Sequence, residues 1–567
     1  MKVVGFHSAH DCAFCVLEDG VPAIHAELER YTREKEPPGD GLEFFYEKYP
    51  DAKDVKHFVH CLDTHKGGVK SRYPDSFKKM EKQISEIGGQ FHVVGHHLAH
   101  AAHAFYSSNF EDAVILTIDG GGPEIFDDGD AAATTLGVFL GNKNKVSRIQ
   151  IAPYHQIDIG GFWTHCTREI FGLSGGYPKG HQAGTIMAMA ALGNPERWAG
   201  YFLKSGMRPD TFVHKSERDA FYDAVKESSD NSWWGTVPPT RINKMKNVIN
   251  QSIDFRMLKE IAQRSEQDSF DIAAGIQSAT EQIVKSIIDD ISKHNISKNL
   301  CLSGGVALNS VLVGKIKTWF RDSFSSIYVP PVPYDAGLAI GAAQFVWHDT
   351  LGNERVLWKD NVSPYLGEIY DNKRILSAIS KFDAVKAVNV TDDEVIDHLL
   401  SSKIVSVFRA GSESGRRALG NRSIVADPRS NQMKDLINEK VKHRQWFRPF
   451  APSILREDVT EWFEEDVDSP YMSFVIKFKN HAIDRVPAVV HFDKTARLQT
   501  VTKLDNPWYH QFLTKWKNKS GVPILLNTSF NDREPIVESP EDAIKCFLGT
   551  DIDYLYFVDA KLLVSKS

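Results

Sequence analysis

Three short apolar runs, each breaking into a polar or glycine-rich turn, constrain this chain more than any other feature. MKVVGF runs into HSAHD, AVILTI into Asp119 and the glycines of DGGGP, and NLC into LSGGVALN. A short apolar run bounded by turn residues reads as a buried strand whose end opens into a loop. Glycines there allow tight turns and let backbone N–H groups approach an anion. In open α/β folds, ligands bind at such strand ends. Between the second and third runs, SFDIAAGIQSATEQIVKSIIDDISKH carries apolar residues at helical spacing and predicts a long packed helix. After the third, VALNSVLVGKI continues as an amphipathic helix. Val329–Trp347 then reads as a proline-rich loop leading into a helix whose first turn holds Asp335.

Beyond about residue 350 the character changes. LGNERVLWKDNVSPYLGE has few periodic apolar positions and reads as a connector. KIVSVFRAG then reads as a strand, followed by a segment dense in arginine. Two lobes are predicted, 1–355 and 365–567. With 42% hydrophobic and 25% charged residues the chain has the make-up of a soluble globular protein. Its formal charge of −7 argues against a nucleic-acid partner, and no apolar run reaches the ~20 residues that span a membrane. MKVVGFHSAHDC lacks a basic stretch followed by an apolar one, and six cysteines in 567 residues make no disulfide scaffold. A cytoplasmic location is expected, with Cys12 and Cys15 as plain buried thiols.

GHHLAHAAHAFYSS at 95–108 packs four histidines into eight residues. On a helix His96 and His100 share a face, so two imidazoles could meet one ion. His103 continues that face and His97 leaves it. The zincin protease pattern needs Glu where His97 stands, which rejects that reading. A divalent ion with mixed nitrogen and oxygen ligands also wants carboxylates, and Asp119 and Asp335 both end strand-like segments. An inert, histidine-rich packed helix is the alternative left open at this point. The three turns in this order suggest a nucleotide cleft of the actin–sugar-kinase–Hsp70 type. A sugar-phosphorylating member would carry an acidic DxGxT turn where GFHSAHD stands.

In the second lobe ESGRRALGNR and VKHRQWFR supply Arg416, Arg417, Arg422, Lys442, Arg444 and Arg448. They interleave with Gly415, Gly420, Phe447, Pro449 and Phe450, which predicts a lined pocket for phosphate oxygens rather than a solvated face.

Nine ordered motifs carry a resemblance. They are His10-Asp11, AELERYTREK at 26–35, HHLAH at 96–100, DGGGP at 119–123, SGGVALN at 303–309, and YDAGLAIGAA at 334–343. In the second lobe they are ESGRRALGNRSI at 413–424, VKHRQWFRPFAPS at 441–453, and NTSFNDREPIVESPEDA at 527–543. The sequence resembles the O-carbamoyltransferases that decorate antibiotics and related natural products, with the tobramycin, cephamycin and ansamycin carbamoyltransferases and the NodU nodulation proteins. The resemblance implies an α/β and α+β protein. Residues 1–355 would form an actin/sugar-kinase/Hsp70-like (ASKHA) carbamoyl-transfer lobe containing a metal, and 365–567 a YrdC-like lobe that forms carbamoyl-adenylate.

By that resemblance carbamoyl phosphate and ATP, with Mg2+, give carbamoyl-adenylate in the second lobe, and a hydroxylated small molecule takes the carbamoyl group in the first. His96, His100, Asp119 and Asp335 fall on the metal positions, for Fe2+ in the first instance, with Zn2+ and Mn2+ compatible with the same donors. His10 falls on the group that deprotonates the acceptor, and a neutral imidazole suits that task. Lys35 falls near the transferred group. Gly120, Gly121, Gly122, Ser303, Gly304, Gly305 and Asn309 are the expected nucleotide cradle. Arg417, Asn421, Arg422, Ser423, Lys442, Arg444, Arg448, Asn527, Ser529 and Asn531 are the expected carbamoyl phosphate and ATP ligands of the second lobe.

Two positions depart from the family pattern. Arg416 stands where many members have proline, and Thr185, in AGTIMAMA, stands where others carry lysine. Gly160–His181 and Lys204–Arg241, with tryptophans at 163, 233 and 234, are candidates for the acceptor pocket. A homodimer is the expected assembly. An ATP-hydrolysing regulator and a tRNA threonylcarbamoyl-type enzyme are the alternatives on the same fold. Neither membrane nor nucleic acid is an expected partner.

Overall fold

The computed structural model describes residues 1–61, 74–125, 131–153, 157–173, 182–204, 253–357 and 364–567. Two compact units divide the chain. One comprises Met1–Glu29, Glu36–Leu312 and Ile316–Val362, and the other Arg30–Lys35, Val313–Lys315 and Ser363–Ser567.

The first unit repeats one sheet topology. β1 (Lys2–His7), β2 (Ala13–Glu18), β3 (Val21–Glu27), β4 (Val55–Cys61) and β5 (Gln90–Val94) lie in the order β3-β2-β1-β4-β5. β1, β2 and β3 pair antiparallel, and β1, β4 and β5 pair parallel. β6 (Asp112–Ile125), β7 (Ala131–Asn142), β8 (Lys145–Pro153), β9 (Asn299–Ser303) and β10 (Ser326–Tyr328) form a second sheet, β10-β9-β6-β7-β8. Here too the first strand is central, with a meander on one side and two parallel strands on the other. This internal duplication is the architecture expected of an actin/sugar-kinase/Hsp70-like lobe. The three apolar runs are β1, the first part of β6, and β9: the two central strands and the parallel neighbour of the second.

Two helices lie between the sheets. Helix His96–Ser107 packs on β6, β7 and β9, and helix Leu338–Phe345 packs on β1, β2 and β4 and against the first helix. Their side chains are small because the backbones nearly touch. A Cβ on Gly341 would lie 1.9 Å from the Ala99 carbonyl oxygen, and one on Gly5 would lie 2.0 Å from that of Ala339. Ala99, Ala339, Ala342 and Ala343 are fully buried in the seam. Gly341→Ala is therefore expected to destabilise the first unit by about 3 kcal/mol. Differential scanning calorimetry of the variant would show it as a lowered first-unit transition.

One expectation is corrected. DGGGP is not a turn that ends a strand, because β6 continues through it to Ile125 with a register shift between Ile118 and Gly122. The glycines make room. A Cβ on Gly122 would fall 2.1 Å from Cγ of His96, and Gly120 lies against the backbone of Gly160. The long helix spans Glu266–Lys293, capped by Ser265. Cys12 and Cys15 are both buried, and burial pushes the Cys15 thiol up.

The second unit is built on a nine-stranded mixed sheet. Its strands are β11 (Val385–Asn389), β12 (Val405–Phe408), β13 (Arg422–Ala426), β14 (Ala451–Leu455), β15 (Phe474–Lys477), β16 (Thr495–Val501), β17 (Ile524–Ser529), β18 (Tyr554–Phe557) and β19 (Leu562–Lys566). Their order is β11-β19-β18-β12-β13-β17-β14-β16-β15. Among the described residues no helix is long and apolar enough to cross a membrane.

Candidate functional site

Helix His96–Ser107 is held at both ends. At its start Oε2 of buried Glu124 accepts the N–H of Leu98 at 3.0 Å, and at its end Arg355 donates to the carbonyls of Phe105, Ser108 and Phe110. A carboxylate at the N-terminus and a guanidinium at the C-terminus each complement the helix dipole. The helix thereby presents His96 and His100 to Asp119 on β6 and Asp335 in the turn Asp335–Gly337.

One donor atom from each of these four residues lies within 4.8 Å of all the others. Nε2 of His100 is 2.9 Å from Asp119 Oδ2 and 3.4 Å from Asp335 Oδ1, while Nε2 of His96 is 3.8 and 3.7 Å from the same carboxylates. Among the described residues neither ring nitrogen of buried His96 has a hydrogen-bond partner. Two imidazoles and two carboxylates converging on a gap too wide for direct hydrogen bonds to His96 fit a divalent ion of the Fe, Zn or Mn type. The donors do not choose between these metals.

The charges agree with a cation-seeking site. Burial works against the His100 imidazolium, but Asp119 and Asp335 outweigh it and raise that group to about 9. Burial would raise Asp119, yet His100 and His96 hold it well below the usual carboxylate range. The other two histidines of the helix stand apart. His97 is pushed well down by burial and shares its Nδ1 with Thr117 Oγ1 at 2.8 Å. His103 is pushed down to about 3, chiefly by burial, and meets Ser107 Oγ.

The loop after β1 brings His10 to the edge of this cluster. Ala9 and Asp11 adopt left-handed backbone, with φ of 74° and 53°. Such strain persists where surrounding structure imposes it, here by paired hydrogen bonds between Ala9 and Gly39. His10 Nε2 lies 3.6 Å from Asp335 Oδ2, and its Nδ1 lies 3.2 Å from Asp11 Oδ2. The ring is 47% exposed. Desolvation of the covered part of the ring opposes its protonation, but Asp11 and Asp335 prevail and shift His10 upward. A cation on Asp335 would relieve part of that pull.

The expected nucleotide cradle divides. Gly304 takes φ +87° against Ile118, and the Gly305 N–H donates to Asp119 Oδ2 at 3.0 Å. Gly120 donates to Asp119 Oδ1 at 2.5 Å, Gly121 has φ 120°, and Ser303 Oγ donates to the Pro333 carbonyl at 3.3 Å. Gly120 and Gly305 thus brace a carboxylate of the cluster. Asn309 caps helix Ser310–Trp319 and pairs with Gln277 at 2.9 Å, a scaffold task. Thr185 is buried on helix Ala183–Ala190. Trp163 is largely buried and donates to Thr280, whereas Trp233 and Trp234 lie outside the described residues.

In the second unit, Lys442 is buried and donates to Ser529 O, Asn531 O and Asn531 Oδ1 at 2.6–2.7 Å. Burial, with Arg444 next in weight, pushes its ammonium well down. Lys35 belongs to this unit and is among the charges acting on Lys442. Arg444 bonds Asn438 and lies over Phe450 at 4.7 Å. Asn421 and Asn527 are taken up by Gly411, Arg409, Ala418, Ser453 and Gln499, and Ser423 accepts from Gly420. Arg422 is fully buried over Phe408, donating to the carbonyls of Arg409 and Glu538. Its guanidinium joins segments of the unit rather than facing a ligand. Arg422→Ala is expected to cost about 3 kcal/mol by leaving those carbonyls unpaired, measurable as a lower denaturant midpoint.

One candidate residue escapes sequence reasoning. Arg497 on β16 is pushed well down by burial, and next by the charges of Arg417, Arg444 and Arg448. Its Nε has no hydrogen-bond partner among the described residues. Four half-buried guanidiniums this close repel one another and favour a polyanion. Arg497 stands alone in TARLQTV, where one arginine on an alternating strand gives no signal.

A family model described as Carbamoyltransferase N-terminus matches residues 82–344, and one described as Carbamoyltransferase C-terminus matches residues 396–566. A Synechocystis protein, sll1178, is 31% identical across 96% of this chain and 94% of its own length. Nodulation protein NolO of Bradyrhizobium diazoefficiens is 33% identical across 82% of this chain and 77% of its own. Nodulation protein NolNO of Sinorhizobium fredii is likewise 33% identical, and this chain spans 62% of it. A full-length HypF solved with phosphate and nucleotide superposes with a TM-score of only 0.32 at 15% identity, covering 62% of this chain and 56% of that one. The fold therefore rests on the duplicated sheets. With both halves of the family matched along one chain, this protein belongs to the carbamoyltransferase family and is a carbamoyltransferase.

Proposed function

We propose that this carbamoyltransferase depends on ATP and divides its reaction between the two units. In the second, carbamoyl phosphate is hydrolysed to carbamate and phosphate. A carbamate oxygen then attacks the α-phosphorus of ATP, expelling pyrophosphate and leaving carbamoyl-adenylate. In the first, an acceptor hydroxyl attacks the carbamoyl carbon, the bond to AMP breaks, and the hydroxyl proton passes to Nε2 of His10, whose ring is neutral once a cation on Asp335 offsets the pull that shifts it upward. The observation that carries the reading is the convergence of Arg417, Arg444, Arg448 and Arg497. Phosphate-bearing substrates would offset that repulsion, and pyrophosphate would leave from it.

His96, His100, Asp119 and Asp335 would hold the divalent ion, which when bound polarises the carbamoyl carbonyl or the adenylate phosphate. Asp11 orients His10, and the N–H groups of Gly120 and Gly305 keep Asp119 turned toward the histidines. The acceptor is a hydroxylated small molecule of the natural-product kind, and the protein works in the cytoplasm. His10→Ala is expected to accumulate carbamoyl-adenylate when supplied with ATP, Mg2+, carbamoyl phosphate and acceptor. Mass spectrometry of the quenched reaction checks it; transfer at the wild-type rate would remove His10 as the proton acceptor.

A further inference from the structure

Trp446 and Phe492 lie open on the second unit, 49% and 46% exposed, with ring centroids 5.6 Å apart and nearly perpendicular. Large aromatic side chains in contact yet exposed commonly serve a ligand. Their surroundings say which kind. Trp446 stands in sequence between Arg444 and Arg448, and its ring meets that of buried Phe447 at 5.8 Å. Lys434 Nζ lies 4.3 Å from the Phe492 ring centroid, within electrostatic reach of its neighbour Asp435 and of Arg444. His491, beside Phe492 in the chain, is acted on by its neighbour Asp493 and by both Arg497 and Lys434. The aromatic pair is thus the open edge of the arginine cluster.

A ligand satisfying both parts carries a planar aromatic group on a polyanion. A sugar or macrocycle lacks the polyanion, and carbamoyl phosphate lacks the ring. We propose that Trp446 and Phe492 form the platform on which the base of a purine nucleoside triphosphate rests while its phosphates lie among the arginines. This deepens, and rests on, the assignment of ATP and carbamoyl phosphate to the second unit. Base-on-aromatic stacking is tolerant of base identity, so the platform supplies affinity more than selectivity.

The test uses the full-length chain and carbamoyl-phosphate-dependent pyrophosphate release, with inorganic tripolyphosphate as a competitive inhibitor lacking the base. Trp446→Ala is expected to raise the KM for ATP about tenfold while the Ki of tripolyphosphate stays within about twofold of wild type. Trp446→Phe should restore most of the loss, because the ring rather than the indole N–H does the stacking. Unchanged KM and Ki in Trp446→Ala would overturn the platform, with the face then a contact for another macromolecule. A KM and Ki that rise together would also overturn it, since Trp446 would then be supporting the arginines. Failure of wild type to release pyrophosphate under carbamoyl phosphate would strike the underlying ATP assignment as well, and is read before any variant.

Discussion

His100→Ala is expected to lose its divalent ion and its transfer activity while retaining formation of carbamoyl-adenylate. His100 is fully buried and makes the shortest contact to a carboxylate in the cluster, 2.9 Å to Asp119. Removing it leaves three donors and a void beside two carboxylates whose charge nothing nearby offsets as closely. Since loss of even an outer partner of a metal ligand costs about 10- to 100-fold in metal affinity, loss of a ligand should cost at least about 100-fold. Metal content by plasma mass spectrometry should fall to background after dialysis. Pyrophosphate release should stay within about twofold of wild type, because the arginine cluster belongs to the other unit. Equal loss of both half-reactions would sink the division of labour. His97→Ala is the control on the same helix, since His97 engages Thr117 and stands outside the four-residue cluster.

Arg497→Ala is expected to have the opposite profile, with metal content intact and carbamoyl-phosphate-dependent pyrophosphate release lowered about 100-fold or more. Arginine contacts to charged groups are among the strongest hydrogen bonds a site offers, and Arg497 is half-buried, where such a contact is strengthened. The substitution also relieves repulsion from Arg417, Arg444 and Arg448. The variant should therefore be at least as stable as wild type to denaturant. Loss of activity together with stability would instead mean that Arg497 braces the sheet. Lys442→Ala is a poorer probe, since Lys442 ties down the Ser529 and Asn531 loop and its loss disturbs geometry and charge at once.

Much of the first unit's organisation is legible in its amino acids. Strand ends at β1 and β9 follow from apolar runs meeting turn residues, and the i, i+4 spacing of His96 and His100 puts them on one face. What local pattern hides is tertiary purpose. Three glycines after Asp119 look like a turn, yet they are a bulge whose small residues admit the His96 ring. Asn309 and Arg422 have the chemistry of ligands and are occupied as a helix cap and a buried brace. Segment Arg30–Lys35 joins the second unit although it lies in sequence between two parts of the first, which no linear division of the chain can express. Arg497 becomes visible only when β16 brings it to Arg417, Arg444 and Arg448.

The most direct test is pyrophosphate release by the wild-type chain from ATP and Mg2+, with and without carbamoyl phosphate and with no acceptor present. The account predicts release that requires carbamoyl phosphate and is matched by free phosphate in equal amount. Release that ignores carbamoyl phosphate, or none with it, would contradict the adenylate route and leave carbamoyl transfer to proceed without ATP cleavage at the α-phosphorus.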